Sequence, residues 1–209
     1  MSSKPYFDRV ASQWDAMRTA FFSDAVREKA FAAANLQSGQ QAADLGAGTG
    51  FITEGLLKGG IQVISVDQSE AMLTEMQHKF AAFSGAEYRL GDADRLPIAD
   101  TSVDAAFANM YLHHVEAPIQ AIKEMARILK PGGKLVITDL DEHGFDFLRT
   151  EHFDRWMGFQ RAEVRAWFES AGLCNVRVEC AGESCCAASN CGSENAQVSI
   201  FLAYGEKPA

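Results

Sequence analysis

From Gln41 onward, short β-branched or apolar runs alternate with helical patterns, and no other feature of the 209-residue chain constrains its fold as strongly. The expected strands cover residues 42–45, 62–66, 87–90, 103–109, 135–139, 176–180 and 197–204. Helices are expected over 23–34, 51–58, 69–83, 118–129 and 161–170, with Ser69 as an N-cap and Pro118 in a first turn. Pro131-Gly132-Gly133 stops the fourth of these, and Gly172 stops the last. No helix-length pattern separates the final two strands, so they should pair as an antiparallel hairpin at the edge of a parallel sheet. The chain reads as one α/β domain: a helical segment over 1–40, a core over 41–140 and a C-terminal part over 141–209. Residues 1–22 and 143–160 fall outside the alternation and are candidates for a lid.

The first strand runs into Asp44-Leu45-Gly46-Ala47-Gly48-Thr49-Gly50, and an amphipathic helix follows at once. A tight strand-to-helix turn visits positive φ, and a Cβ there would hold a ligand off the backbone, so the turn calls for glycine. Dehydrogenases and structural turns use such loops too, and the surrounding acids narrow the choice. Asp44 precedes the turn, Asp67 follows Gly46 by 21 residues at the end of the second strand, and Asp92 follows the third. A carboxylate at the second strand tip can take ribose hydroxyls, and one at the third can reach an adenine amine. Asp44 suits the ammonium of an amino-acid group. Three acids oppose a pyrophosphate and favour a ligand with sulfonium and ammonium charges, which separates S-adenosylmethionine from NAD.

Several further motifs keep the same order: Val66-Asp67-Gln68-Ser69 with Met72-Leu73, Gly91-Asp92-Ala93, Arg95-Leu96-Pro97, Ser102-Val103-Asp104, Leu112-His113-His114, and Ile128-Leu129-Lys130-Pro131-Gly132-Gly133. Together with the glycine loop they resemble the class I S-adenosylmethionine-dependent methyltransferases of small-molecule type, similar to the quinone-ring and arsenite methyltransferases. The resemblance is dense over residues 41–140. It implies a Rossmann-like, seven-stranded, mostly parallel sheet with a C-terminal antiparallel hairpin and helices on both faces. S-adenosylmethionine is the implied cofactor and a small molecule the implied methyl acceptor. Gly46, Ala47, Gly48 and Gly50 would line the methionine part, Asp67 would hold the ribose with Gln68 beside it, and Met72 would pack on the adenine. Asp92 and Ala93 would meet the adenine edge, and Asn109 would sit near the methionine moiety. An ordinary core role for Met72 and Ala93 stays open.

On the acceptor side, the segment from Tyr6 to Asp15 is similar to the N-terminal stretch that closes over the cofactor in small-molecule members. Tyr6 and Trp14 would exclude water and orient the acceptor, or else belong to a helix packed on the sheet edge. His113 and His114 follow the fourth strand, where either can act as a base or shape the pocket.

Five cysteines, Cys174, Cys180, Cys185, Cys186 and Cys191, fall in the last 36 residues, and their odd number argues against a disulfide framework. Cys185, Cys186 and Cys191 are expected in the loop of the final hairpin, facing the methyl donor as a soft-ion site. A metalloid such as trivalent arsenic would then be the acceptor. Adjacent cysteines lack the paired spacing of structural zinc, and a redox pair or no specific role are the other readings. A non-catalytic thiol-based metal-binding or sensing protein is the third functional class, and a nicotinamide oxidoreductase is disfavoured by the glycine spacing.

With 28 acidic against 19 basic side chains the net charge is -9, which repels phosphate backbones and anionic membranes. Neither nucleic acid nor a membrane is an expected partner. Asp8, Asp15, Arg18 and Asp24 interrupt the first 30 residues, and no apolar stretch approaches a membrane span, so a cytoplasmic location is expected.

Overall fold

The computed structural model describes residues 3–189, 192 and 194–209. Seven strands form one sheet: β1 (Gln41–Leu45), β2 (Gln62–Asp67), β3 (Ala86–Leu90), β4 (Val103–Asn109), β5 (Leu129–Leu140), β6 (Cys174–Ala188) and β7 (Asn195–Glu206). Their order is β3-β2-β1-β4-β5-β7-β6. β7 runs antiparallel to both of its neighbours, so β6 points the same way as the five parallel strands. The order reverses between β1 and β4, and in such sheets the crevice at the carboxyl ends beside the reversal receives the ligand.

The sheet is covered on both faces because its central strands are apolar at successive positions. Ala42 of β1 belongs to one apolar cluster, with Ile52 and Leu56 of α4 (Phe51–Lys58) and Met76 of α5 (Glu70–Lys79). Ala43 and Leu45 belong to the opposite one, with Ile122 and Met125 of α6 (Pro118–Ile128) and Phe168 of α8 (Arg161–Ser170). Ahead of the sheet come α1 (Lys4–Val10), a 3-10 turn (Ala11–Gln13), α2 (Trp14–Phe21) and α3 (Ala25–Ala34). A last short helix, α7 (Asp146–Glu151), lies between β5 and α8. Among the described residues no helix is long and apolar enough to cross a membrane.

The strands and helices fall where the sequence puts them, with two differences that matter. α6 ends at Ile128 and β5 begins at the next residue, the Pro131-Gly132-Gly133 stretch forming an irregularity in the pairing of β5 with β4. More consequential is the C-terminal hairpin. Residues 182–188, expected in its loop, continue β6 past an irregularity between Cys180 and Ser184, and pair with β7 from Ser199 to Asn195. Gly182, at φ 68°, allows the chain to kink there and resume the ladder.

Candidate active site

The glycine loop leaves β1 with Gly46, Gly48 and Gly50 all at positive φ. A Cβ on Gly46 would strike the ring of Tyr111, and one on Gly48 would stand 3.4 Å from Trp14 Nε1. At Gly50 the obstruction is internal, from Phe80 and Met76 of the α5 side. The first two glycines therefore give a cavity its floor, whereas the third allows close packing. Ala47, Gln68, Met72 and Asn109 line the same cavity, with Asp67 at its side.

Asp67 ends β2, and its carboxylate is aimed by two backbone donors: Gly48 N–H to Oδ2 and Ser69 N–H to Oδ1, both 2.8 Å. Burial lifts its pKa, and these amides partly offset the lift. Ser69 caps α5 by accepting from Met72 N–H at 3.1 Å, which holds the Met72 side chain under the cavity. Asp44 lies one layer deeper. Its Oδ2 accepts from Thr53 N–H at 2.9 Å and from Thr53 Oγ1 at 2.6 Å, and it is absent from the lining. Burial pushes this carboxyl up to about 7 against the Thr53 bonds, with the charge of Asp67 adding to the rise. Asp44, expected to face a ligand ammonium, is thus a buried acid beneath the loop, able to act on a ligand in the cavity through its charge.

Asp92 and Ala93 border a neighbouring cavity, also lined by Gln68 and Ser3. The Tyr111 ring stands between the two, lining both. Asn109 Oδ1 accepts from Thr138 Oγ1 at 2.8 Å, which ties the ends of β4 and β5 together.

A third cavity adjoins the glycine-loop cavity and shares Phe7, Trp14, Phe22, Met110 and His114 with it. Its walls are mainly aromatic and aliphatic, with Tyr6, Phe21 and Leu148 among them. α1 and α2 bring the rings into place and are fastened across the cleft by Ser69 Oγ donating to Asp8 (2.6 Å), Thr49 Oγ1 donating to Asp15 (2.5 Å) and Lys79 pairing with Asp15 (2.7 Å).

The polar pole of this third cavity is built on the end of β5, and Asp139 is its organiser. Asp139 Oδ2 accepts from the N–H groups of Tyr111 and Leu112 at 3.1 and 2.7 Å, fixing the 3-10 turn Leu112–His114. Oδ1 pairs with His113 Nδ1 at 2.6 Å. On the other side of the ring, His113 Nε2 faces Asp154 at 3.8 Å. Burial works against a charged His113, but the flanking Asp139 and Asp154 outweigh it and lift the imidazole to about 9. His114 is the opposite case: burial, and then the charge of His113, hold it well below the ordinary value, so it is neutral at pH 7. Asp139 and Asp154 were not singled out from the sequence. Asp139 carries the same signal as Asp67, an acid at a strand's carboxyl end, whereas Asp154 sits in an irregular stretch that offers none.

Cys185 and Cys186 do not converge. They are neighbours on β6, so their side chains leave opposite faces of the sheet. Cys185 lines the aromatic cavity, and Cys186 is exposed. Burial, with the charge of Asp154, pushes the Cys185 thiol up to about 12. Cys191 lies outside the described residues. Among the described residues, strand alternation therefore separates Cys186 from Cys185, the thiol in the cavity wall.

Fold and site together define an α/β domain whose glycine loop lies over buried acids and floors a cavity at the carboxyl edge of the sheet. Residues 43–137 match a family model described as a methyltransferase domain. The demethylmenaquinone methyltransferase of Renibacterium salmoninarum is 35% identical over 119 residues, 57% of this chain and 49% of that protein. The malonyl-[acyl-carrier protein] O-methyltransferase of a Marinomonas species is 30% identical over 160 residues, 75% of this chain and 57% of the relative. The chain thus spans about half the length of these curated relatives. Among solved structures, a chain of the complex between the Haloferax volcanii Trm112 methyltransferase activator and a methyltransferase shares the fold at TM-score 0.79 and 23% identity, covering 97% of this chain and 98% of that one. Over residues 43–137 the chain thus matches a methyltransferase domain, and its curated relatives and its fold are those of class I S-adenosylmethionine-dependent methyltransferases.

Proposed function

We propose that the protein transfers the methyl group of S-adenosylmethionine to a small, largely apolar acceptor held in the aromatic cavity. The shared wall carries this reading: a cavity floored by the glycine loop opens along Phe7, Trp14, Phe22, Met110 and His114 onto a second cavity with an apolar lining and one polar end. The first cavity suits the family's cofactor on its own terms. Asp44 and Asp67 are buried acids with raised pKa values, and neither has an ion pair among the described residues, so a cationic ligand relieves both. Arg18 lines the same cavity with its Nε buried and unbonded, a donor suited to the carboxylate of an amino-acid group.

When bound, S-adenosylmethionine supplies a methyl carbon on a sulfonium, already a good leaving group, so the chain's task is positioning and exclusion of water. Phe7 stacks edge-on against both Trp14 and His114 at 5.3 and 5.1 Å between centroids, closing the cavities from the N-terminal side. Neutral His114 and the carboxylate of Asp154 are the groups able to take a proton from an acceptor hydroxyl. His113, cationic at neutral pH, places fixed positive charge beside the oxygen that loses it. A phenol, quinol or enol fits such a cavity. A trivalent metalloid acceptor asks for converging thiolates, and this wall presents Cys185.

The test is a panel of phenols, quinols and enolisable ketones with methyl-labelled S-adenosylmethionine, alongside calorimetry with S-adenosylmethionine, its demethylated product and NAD. Binding of the first two ligands and label transfer to an oxygen or carbon acceptor are expected. Tight NAD binding without any response to S-adenosylmethionine would overturn the reading.

A further inference from the structure

We propose that His113, His114 and Asp154 form a binding site for a divalent transition-metal ion at the polar end of the aromatic cavity. One donor atom from each of the three lies within 4.8 Å of the other two. His113 Nδ1 is taken by Asp139 and His114 Nδ1 faces the Phe153 carbonyl at 3.4 Å, so each ring is left with Nε2 as its available donor. A carboxylate or carbonyl on the far nitrogen is the outer-shell arrangement that fixes the orientation of histidine ligands.

Asp154 is the second, independent observation. It is 5% exposed, lines the cavity, and its carboxylate makes no hydrogen bond among the described residues, its contact to His113 being an ion pair at 3.8 Å. A buried carboxylate left without donors is costly unless something cationic joins it. Its placement is also built in. The N–H groups of Arg155 and Trp156 both donate to the His113 carbonyl, at 3.0 and 3.1 Å, and Trp156 Nε1 donates to the Val115 carbonyl at 2.9 Å. These bonds fold residues 153–156 back against the turn that carries the two histidines. The three donors thus sit on pinned backbone.

Two imidazole nitrogens and one carboxylate oxygen match borderline ions such as zinc, cobalt(II) or iron(II), rather than the all-oxygen preference of calcium or magnesium. Three protein ligands leave positions open, the form that catalytic sites take. Bound there, the ion would replace the proton between His113 Nε2 and Asp154 and take over the roles His113, His114 and Asp154 play without it: an acceptor hydroxyl reaching it from the cavity would bind as its anion, its proton leaving to solvent. The acceptor class then narrows to hydroxyl or enol compounds that coordinate a metal. This narrowing rests on the proposed methyl transfer, whereas the metal site itself does not.

Cobalt(II) is the probe, added to chelator-stripped protein whose accessible thiols, Cys180 and Cys186 among the described residues, have been alkylated. One bound ion is expected by mass spectrometry, with visible bands of nitrogen and oxygen ligation and no thiolate charge-transfer band. Asp154→Asn and His114→Gln should each lose the ion while melting as the parent does. If Asp154→Asn fails to fold, His114→Gln carries the same comparison. No cobalt bound, a thiolate band, or folded variants that bind as well as the parent would each overturn the site. S-adenosylmethionine binding is measured on the stripped protein in parallel, so its absence counts against the proposed function alone, whereas a protein that binds S-adenosylmethionine but takes up no added cobalt counts against the metal alone.

Discussion

Changing Asp44 to Asn should stabilise the ligand-free protein at alkaline pH and leave it little changed in acid. In the fold this carboxyl titrates at about 7 against an ordinary 3.8, so the native state holds a proton that the unfolded state has already lost between those values. Stability therefore falls as pH rises through that window, and above it the full cost of a buried charge is present. The difference of about 3 pH units corresponds to roughly 4 kcal/mol, of which about 2.5 kcal/mol develops between pH 5 and pH 7. Asn cannot ionise, and its carbonyl can still accept from Thr53 N–H and Oγ1 where Asp44 Oδ2 now does. Any loss from weaker bonds to a neutral acceptor is independent of pH, so the slope of the difference isolates the charge. For a domain of this size each kcal/mol moves Tm by about 2–4 °C, and the gap between variant and parent should widen by about 5–10 °C from pH 5 to pH 7. Calorimetric scans of both proteins across that range measure it. Parallel Tm profiles would refute the reasoning, because they would mean that Asp44 is hydrated or paired in the fold.

Asp67→Ala removes the acceptor for Gly48 and Ser69 N–H and should weaken S-adenosylmethionine binding by about 1.5–3 kcal/mol, read by calorimetry. Tyr111→Ala removes the ring between the two cavities on the glycine-loop side, and stopped-flow fluorescence should record faster association of S-adenosylmethionine. Asp15→Ala breaks the bonds to Thr49 and Lys79, so limited proteolysis should cut within residues 4–24 more readily, with the core left intact. A thiol reagent at pH 8 should label Cys186 quickly and Cys185 far more slowly, since the Cys185 thiol is half-buried in the cavity wall and pushed up to about 12. Rapid labelling of Cys185 would mean that the cavity wall is open.

That the glycine loop and its neighbours meet at one cavity was legible because their signals are local. A glycine turn, an acid 21 residues later and a capping serine each state their role within a few residues, and the structure gathers Gly46, Gly48, Asp67, Gln68 and Met72 around one cavity. The depth of Asp44 was not legible, because its chain position does not reveal that Thr53, nine residues on, takes its Oδ2. The acceptor half was poorly legible for a related reason: its pole joins His113 to Asp139 and Asp154, 26 and 41 residues downstream, through tertiary packing alone. The hairpin misled through composition. Gly182 and the Ser/Ala/Cys stretch read as a loop, yet small residues extend β6 because β7 offers Val198 and Ala196 as partners.

The aromatic cavity has two kinds of wall. Its polar pole stands on the ends of β4 and β5, locked by Asp139 into the turn that carries both histidines, and little there can change without disturbing the sheet. Its apolar wall hangs on α1, α2 and α7, which reach the core through side chains and a few surface bonds. Substitutions at Phe21 or Leu148 can resize the chamber at little cost to the sheet. Such a scaffold can change clientele by redecorating its helices while its chemistry stays put, which makes those helices the place to begin when engineering it for another acceptor.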